Sequence, residues 1–203
     1  MSESSLAQDW RTYGAADLPR VLEGALEAFA AHGYHGTSIR ELASAAGLSV
    51  PGLYHHYRSK QEILVDLMMV VMDEILVRSR AALASAGTDP SDRFDALVES
   101  MLRFHMVRRA QAFVASSEIR SLDAGNRGRY IARRDEQQAL VDEVVFAGIA
   151  DGVFTTAYPD DAARAVSSLC VGLASWYRDD GPLSPDELVV HHLALARGLV
   201  GAR

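Results

Sequence analysis

A chain of 203 residues, 49% of them hydrophobic, is long enough for one substantial core or for a small domain attached to a larger one, and too apolar to be disordered. Its formal charge of −7 argues against a non-specific nucleic-acid coat, but says little about a specific binder whose cations sit on one small face. The one cysteine, Cys170, excludes an internal disulfide and a cysteine-based zinc cluster and reads as a buried small side chain.

The opening residues lack a basic stretch followed by an apolar core, and no apolar run approaches the ~20 residues that cross a bilayer. No signal peptide or membrane contact is expected, and the expected compartment is the cytoplasm. The first apolar stripe, Leu18, Val21, Leu22, Ala25 and Phe29, predicts a helix with Asp17 as N-cap and Gly33 as its stop. Ser38 and Glu41 have capping-box spacing ahead of Ile39, Leu42, Ala43 and Ala46, which predicts a second, short helix. Gly47 permits a left-handed turn, Ser49 caps a third helix with Pro51 in its first turn, and Leu48 with Leu53 has hydrophobic-staple spacing.

After Ser59 the stripe Leu64, Leu67, Met68, Val71, Met72 and Ile75 predicts a long helix toward Gly87. Asp89 and Pro90 restart the chain, and Phe94, Leu97, Val98, Met101, Leu102 and His105 carry the next helix. A shorter helix is expected over 112–122, then a long one from Asn126 to Gly152, then one over 160–177. Ser184, Pro185 and Glu187 open the last. The expected fold is therefore all-α, with about nine helices and no strands. A boundary is expected after residue 62, giving an N-terminal three-helix domain over 1–62, its first ~15 residues disordered, and a larger helical domain over 63–203.

Helix, glycine turn, helix is the arrangement whose second helix enters the DNA major groove. The small leading end Val50, Pro51 and Gly52 allows close approach to bases. Ser49, Tyr54, His55 and Tyr57 offer hydrogen bonds, while Thr37, Arg40, Arg58 and Lys60, the single lysine, bring hydroxyls and charge to the flanks. The main rival classes are an enzyme and a helical interaction scaffold without DNA binding. Against an enzyme, "GLSVPG" places Pro51 where a nucleophile elbow needs its last glycine, and the pairs His55/His56 and His191/His192 cannot share one metal from a regular helix. No catalytic residue, metal site or cofactor is expected.

The string "TSIRELASAAGLSVPGLYHHYRSKQEIL" closely resembles the helix-turn-helix of TetR-family transcriptional regulators, through Thr37, Ile39, Leu42, Ala43, Ala46, Gly47, Ser49, Leu53, Tyr54, Tyr57, Ser59 and Lys60. The resemblance implies a dimeric repressor with a DNA-binding domain and a ligand-binding and dimerisation domain. It implies phosphate contacts from Thr37, Tyr54 and Lys60, and places Ser49, Val50, Pro51, Leu53 and His55 at or near the groove. With Ser38, Arg40 and Tyr57, these form the candidate DNA-binding set. The expected partner is a double-stranded, palindromic operator, since a two-fold dimer binds half-sites about 34 Å apart.

Val166, Leu169, Cys170 and Leu173 on one helix and Leu193, Ala196, Leu199 and Val200 on the next have the composition of a homodimer bundle, with Ala194, Gly198 and Gly201 allowing close approach. The middle helices are expected to enclose the effector. Candidate pocket residues are Met68, Met101, Phe104, His105, Phe113, Glu118, Tyr130, Arg134, Gln138 and Trp176. "YIARRDEQQ" and "WYRDDGPLSPDEL" are similar to stretches of TetR-type repressors of actinobacterial lipid and steroid catabolism, several of which respond to acyl-CoA thioesters. That likeness implies an acyl-CoA or other lipid catabolite as effector.

Overall fold

A computed structural model describes residues 9–202, and among them the chain forms nine α-helices and no strand. They are α1 (Arg20–Gly36), α2 (Ile39–Ala45), α3 (Val50–His56), α4 (Lys60–Ser85), α5 (Pro90–Val107), α6 (Arg109–Ser117), α7 (Ala124–Ala150), α8 (Pro159–Trp176) and α9 (Pro185–Val200); a 3-10 turn over Glu118–Ser121 follows α6. No helix among the described residues is long and apolar enough to cross a membrane. Among the described residues the backbone divides into two compact units: Ala15–Asp73 with Ala110–Arg133, and residues 9–14 with Glu74–Arg109 and residues 134–202. Helices α4 and α7 contribute residues to both.

Local rules placed most helix starts. Asp89 accepts from the amides of Ser91 and Asp92 ahead of Pro90, and Ser184 and Glu187 form a complete capping box at α9. The front of α1 departs from expectation: Pro19, not Asp17, stands at the cap position, and its side chain makes no cap bond. Gly33 does interrupt α1 in a left-handed conformation (φ 69°), but one further turn follows before Thr37. Gly201 is also left-handed (φ 64°); it closes α9, and a Cβ there would lie 2.7 Å from Thr155 Oγ1. That role explains this glycine without a second chain.

In the unit that contains α1–α3, the apolar stripe of α1 (Val21, Leu22, Ala25, Phe29) is buried, as are Leu42, Ala43, Ala46 and Leu53. Helices α1 and α2 approach so closely at Gly24 that a Cβ there would lie 2.8 Å from Ala45 Cβ. The other unit packs α5, α8 and α9 pairwise around Phe94, Leu97, Met101, Val166, Cys170, Leu173, Leu188, Ala196 and Val200. Each fully buried leucine here contributes about 1.5–3 kcal/mol. Burial pushes the Cys170 thiol up to about 12, so it is a packing group and not a nucleophile. The first residues were expected to be disordered. Residues 1–8 lie outside the described residues, whereas Trp10 is 4% exposed.

Gly148 on α7 faces Phe154, whose ring meets Phe94 edge-on at 5.2 Å; a Cβ at 148 would lie 2.1 Å from that ring. Gly148→Ala is expected to cost about 1–3 kcal/mol in urea unfolding, by overpacking. Gly128→Ala, on the same helix with nothing within 4 Å, should instead stabilise by about 0.5–1 kcal/mol.

Candidate nucleic-acid interface

The helix-turn-helix is built by short-range hydrogen bonds. Ser38 Oγ accepts from the Glu41 amide, and Glu41 returns a bond to the Ser38 amide, which closes the start of α2. Those bonds hold the Glu41 carboxyl below its usual range. Gly47 turns the chain at φ 67°, with its amide on Ser44 O (3.0 Å) and that of Leu48 on Ala43 O (2.8 Å). Ser49 Oγ then accepts from Gly52 N at 3.1 Å to start α3.

Within this frame the candidate DNA-binding residues separate into two groups. Arg40, Pro51, Tyr54 and His55 are exposed, with Tyr54 at 49%, and Val50 is half-buried beside them. The exposed His56 and Arg58 extend that surface. The others face inward or are engaged. Leu53 is 0% exposed, which corrects its placement at the groove: it is the core residue of α3, as its staple spacing with Leu48 indicates. Thr37 is 2% exposed, and its hydroxyl donates to Gly33 O (2.8 Å) and Ala28 O (3.2 Å). Tyr57 donates to Asp66 at 2.7 Å; burial and that bond push its phenol up, so it remains a neutral donor.

Lys60 is the most informative of the group. Its ammonium donates to Tyr34 O (2.6 Å) and Thr37 O (2.7 Å) and lies 4.1 Å from the centre of the Tyr34 ring. It therefore occupies the negative end of α1, where carbonyls lack helical partners. Two of its three N–H donors are used inside the protein.

Gln61, beside it, was not singled out by sequence. Its amide donates to Tyr34 Oη (3.1 Å) and Ser121 O (3.0 Å) and accepts from Asp123 N (2.8 Å). Asp123 in turn accepts from the Asn126 amide at 2.9 Å, in the first turn of α7. One side chain thus ties α1, the start of α4 and the lead into α7. Its partners in the turn are about 60 residues away, beyond any spacing rule.

The effector candidates divide between the units. Met68, Phe113, Glu118 and Tyr130 belong with the helix-turn-helix unit; Met101, Phe104, His105, Arg134, Gln138 and Trp176 belong to the other. Met68, Met101, Phe104, His105 and Tyr130 are buried, with Tyr130 donating to Ala115 O at 2.8 Å. His105 Nδ1 lies 2.7 Å from Met101 O, and burial pushes its pKa down to about 4; it is a neutral imidazole with Nε2 left as an acceptor. Glu118 accepts from Ser121, and the half-buried Gln138 donates to Asp142. Phe113 and Arg134 are exposed; so is Trp176, stacked on His192 with ring centres 5.7 Å apart.

The dimer candidates need a correction. Val166, Cys170, Leu173, Ala196 and Val200 already lie inside the protomer's own core and have no surface left for a second chain. Leu169 and Leu193 are half-buried and Leu199 is 39% exposed. The exposed apolar groups on the same helices are Trp176, Val190, Leu195 and Leu199.

A capped helix-turn-helix with an exposed second helix, followed by an all-helical remainder, defines a DNA-binding regulator. Residues 21–67 match the model of bacterial regulatory proteins of the tetR family, and residues 87–200 match the tetracyclin repressor-like C-terminal domain. The chain belongs to the TetR family: it is a transcriptional regulator that binds operator DNA and a small-molecule effector, and it is not an enzyme. It is similar to the HTH-type transcriptional repressor KstR2 of Mycobacterium tuberculosis, 29% identical over 180 residues, 88% of this chain and 90% of that one. The solved structure of the ketosteroid transcriptional regulator KstR2 of Mycobacterium tuberculosis superposes with a TM-score of 0.82 at 25% identity, covering 94% of this chain and 98% of the other. The fold is also that of AibR, solved with isovaleryl coenzyme A and operator DNA (TM-score 0.77, 21% identity, 90% and 97% coverage).

Replacing Lys60 with Met removes two charge-assisted hydrogen bonds and is expected to lower stability by about 1–3 kcal/mol in urea unfolding. An unchanged unfolding midpoint with weakened DNA binding would place the lysine's main work at phosphate instead.

Proposed function

We propose that the chain is a cytoplasmic, homodimeric repressor that holds a palindromic operator and releases it when an acyl-CoA or other lipid catabolite binds. The carrying observation is the exposed polar face of a capped α3, with Tyr54, His55 and Pro51 outward and Leu53 inward, flanked by the exposed Arg40 and Arg58. In this reading Val50, Pro51 and His55 approach the bases, Arg40 and Tyr54 hold phosphates, and Thr37, Ser38, Ser49, Tyr57 and Lys60 keep the two short helices in register. Residues 1–62 read DNA; residues 63–203 bind effector and partner.

Support for a dimer comes from the outward faces of α8 and α9. Trp176, Val190, Leu195 and Leu199 are exposed there, and a Cβ at Gly172 or Gly198 would meet nothing within 4 Å, leaving room for a second helix pair. The relatives named KstR2 are repressors, and AibR was solved with isovaleryl coenzyme A, which supports a thioester of a short or steroid-derived acyl group. Met101, Phe104 and His105, on successive turns of α5, supply apolar contacts and a neutral imidazole for such a ligand. The effector releases DNA only by as much as it prefers the non-binding conformation.

Two variants separate the roles. Tyr54→Ala is expected to lose about tenfold or more in duplex affinity while remaining a dimer by light scattering. Leu195→Arg is expected to become monomeric and to lose operator binding with an unaltered α3. Parental DNA binding by both variants would overturn the assignment.

A further inference from the structure

The front of the chain carries a cluster that the reading above does not use. Residues 9–14 belong to the unit of α5, α8 and α9, and the chain passes at Ala15 into the helix-turn-helix unit. Trp10 packs among Ala81, Ala82 and Ala96, and its indole N–H donates to Ser85 Oγ at 3.0 Å. Arg11 lies over the Trp10 ring and binds Glu99 through two hydrogen bonds of 2.9 and 2.8 Å. This arm is held, and what lies under it is unusual.

Arg78 is fully buried. Its Nε donates to Glu74 (3.0 Å), its Nη1 donates to the carbonyls of Trp10 (3.0 Å) and Thr12 (3.1 Å), and its plane lies 3.6 Å from the Tyr13 ring centre. Arg108, 7% exposed, donates Nε to both oxygens of the same Glu74 at 3.1 Å and Nη1 to Gly14 O at 3.1 Å. Two guanidiniums therefore share one carboxylate, and alternate carbonyls of the arm, 10, 12 and 14, accept from Arg78 Nη1 and Arg108 Nη1. Arg103 also acts on Tyr13, but it is already paired with Glu99 and Asp186.

The cluster is incompletely satisfied. Arg78 Nη2 is buried without a hydrogen-bond partner, and so is the hydroxyl of Tyr13. Buried charged donors without acceptors are costly, and neutral carbonyls are weaker acceptors for a guanidinium than a carboxylate or phosphate. Arginine pairs are suited to bidentate capture of such groups.

We propose that Arg78 and Arg108 form an anion-binding site covered by residues 9–14, and that a small molecule bearing a carboxylate or phosphate takes these donors from the carbonyls of Trp10, Thr12 and Gly14 and releases the arm. The site uses none of the effector contacts named above. Only its consequence for DNA rests on the repressor reading: the arm is continuous with Ala15 and α1, so its release removes an anchor on the lead into the DNA-reading helices.

Trp10 reports the arm directly, because the chain has two tryptophans and 5-fluorotryptophan gives each its own 19F resonance, assigned with Trp10→Phe. The full chain is titrated with coenzyme A as a phosphate source, isovalerate as a carboxylate source, isovaleryl-CoA, uncharged isovaleramide, and chloride at matched ionic strength. The Trp10 resonance is expected to gain a solvent isotope shift with at least one anion and with neither control. Arg108→Gln should raise the midpoint concentration about tenfold, and Glu74→Gln, which removes the competing carboxylate, should lower it; thermal melts check that both variants fold. A Trp10 resonance unmoved by every anion over the millimolar range, or moved equally in Arg108→Gln, overturns the proposal. Operator binding is measured on the same samples. Effector-sensitive DNA binding with a static Trp10 sinks the anion site and leaves the repressor reading intact, whereas a responsive Trp10 without DNA binding does the reverse.

Discussion

The ammonium of Lys60 closes the corner on which the DNA-reading helices depend. Helix α1 ends in carbonyls short of helical amides, with only a long bond of 3.4 Å from the Thr37 amide reaching Tyr34 O, and the chain must then turn into α2 within two residues. A cation donating to Tyr34 O and Thr37 O neutralises that end and ties it to the first residue of α4. Thr37 is held from below by Gly33 O, and Gln61 extends the same junction to Ser121 and Asp123. The exposed residues of α2 and α3 then stand on a frame that their own seven-residue helices could not provide.

This arrangement also explains how an acidic chain presents a surface to DNA. In the unit of α5, α8 and α9, arginines are absorbed into ion pairs: Arg11 and Arg103 with Glu99, Arg78 and Arg108 with Glu74, Arg197 with Asp95. Arg40 and Arg58 make no ion pair among the described residues and flank the reading helix. The net charge of −7 thus describes the bulk of the molecule and not the face that matters. In the proposed reading a few oriented cations fix register on the phosphates, and the bases are left to small and hydrogen-bonding side chains.

Features governed by neighbours in sequence were legible there. The capping boxes at Ser38 and Ser184 and the Asp89–Pro90 start follow from side chains bonding amides two or three residues away, and the Gly47 turn follows from the positive φ that glycine allows. Features that depend on distant partners were not. Lys60 finds its acceptors 23 and 26 residues back, and nothing in its spacing distinguishes that use from a phosphate contact. Helices α8 and α9 were misread for a different reason. Both carry apolar residues on two faces, and periodicity marks the positions without saying which face meets the protomer's own core; five of the eight chosen residues lie on the inner one. Leu53 shows two sequence signals in conflict, with the staple spacing right and the family pattern misleading about its side chain.

The most direct test of a two-fold, α3-based reader is selection of duplex DNA from a random library by the full-length chain at physiological salt. Enrichment of an inverted repeat whose half-site centres lie about one helical turn, or a multiple of it, apart is the expected result. Failure to enrich any sequence, or enrichment of single half-sites bound by a monomer, would contradict it.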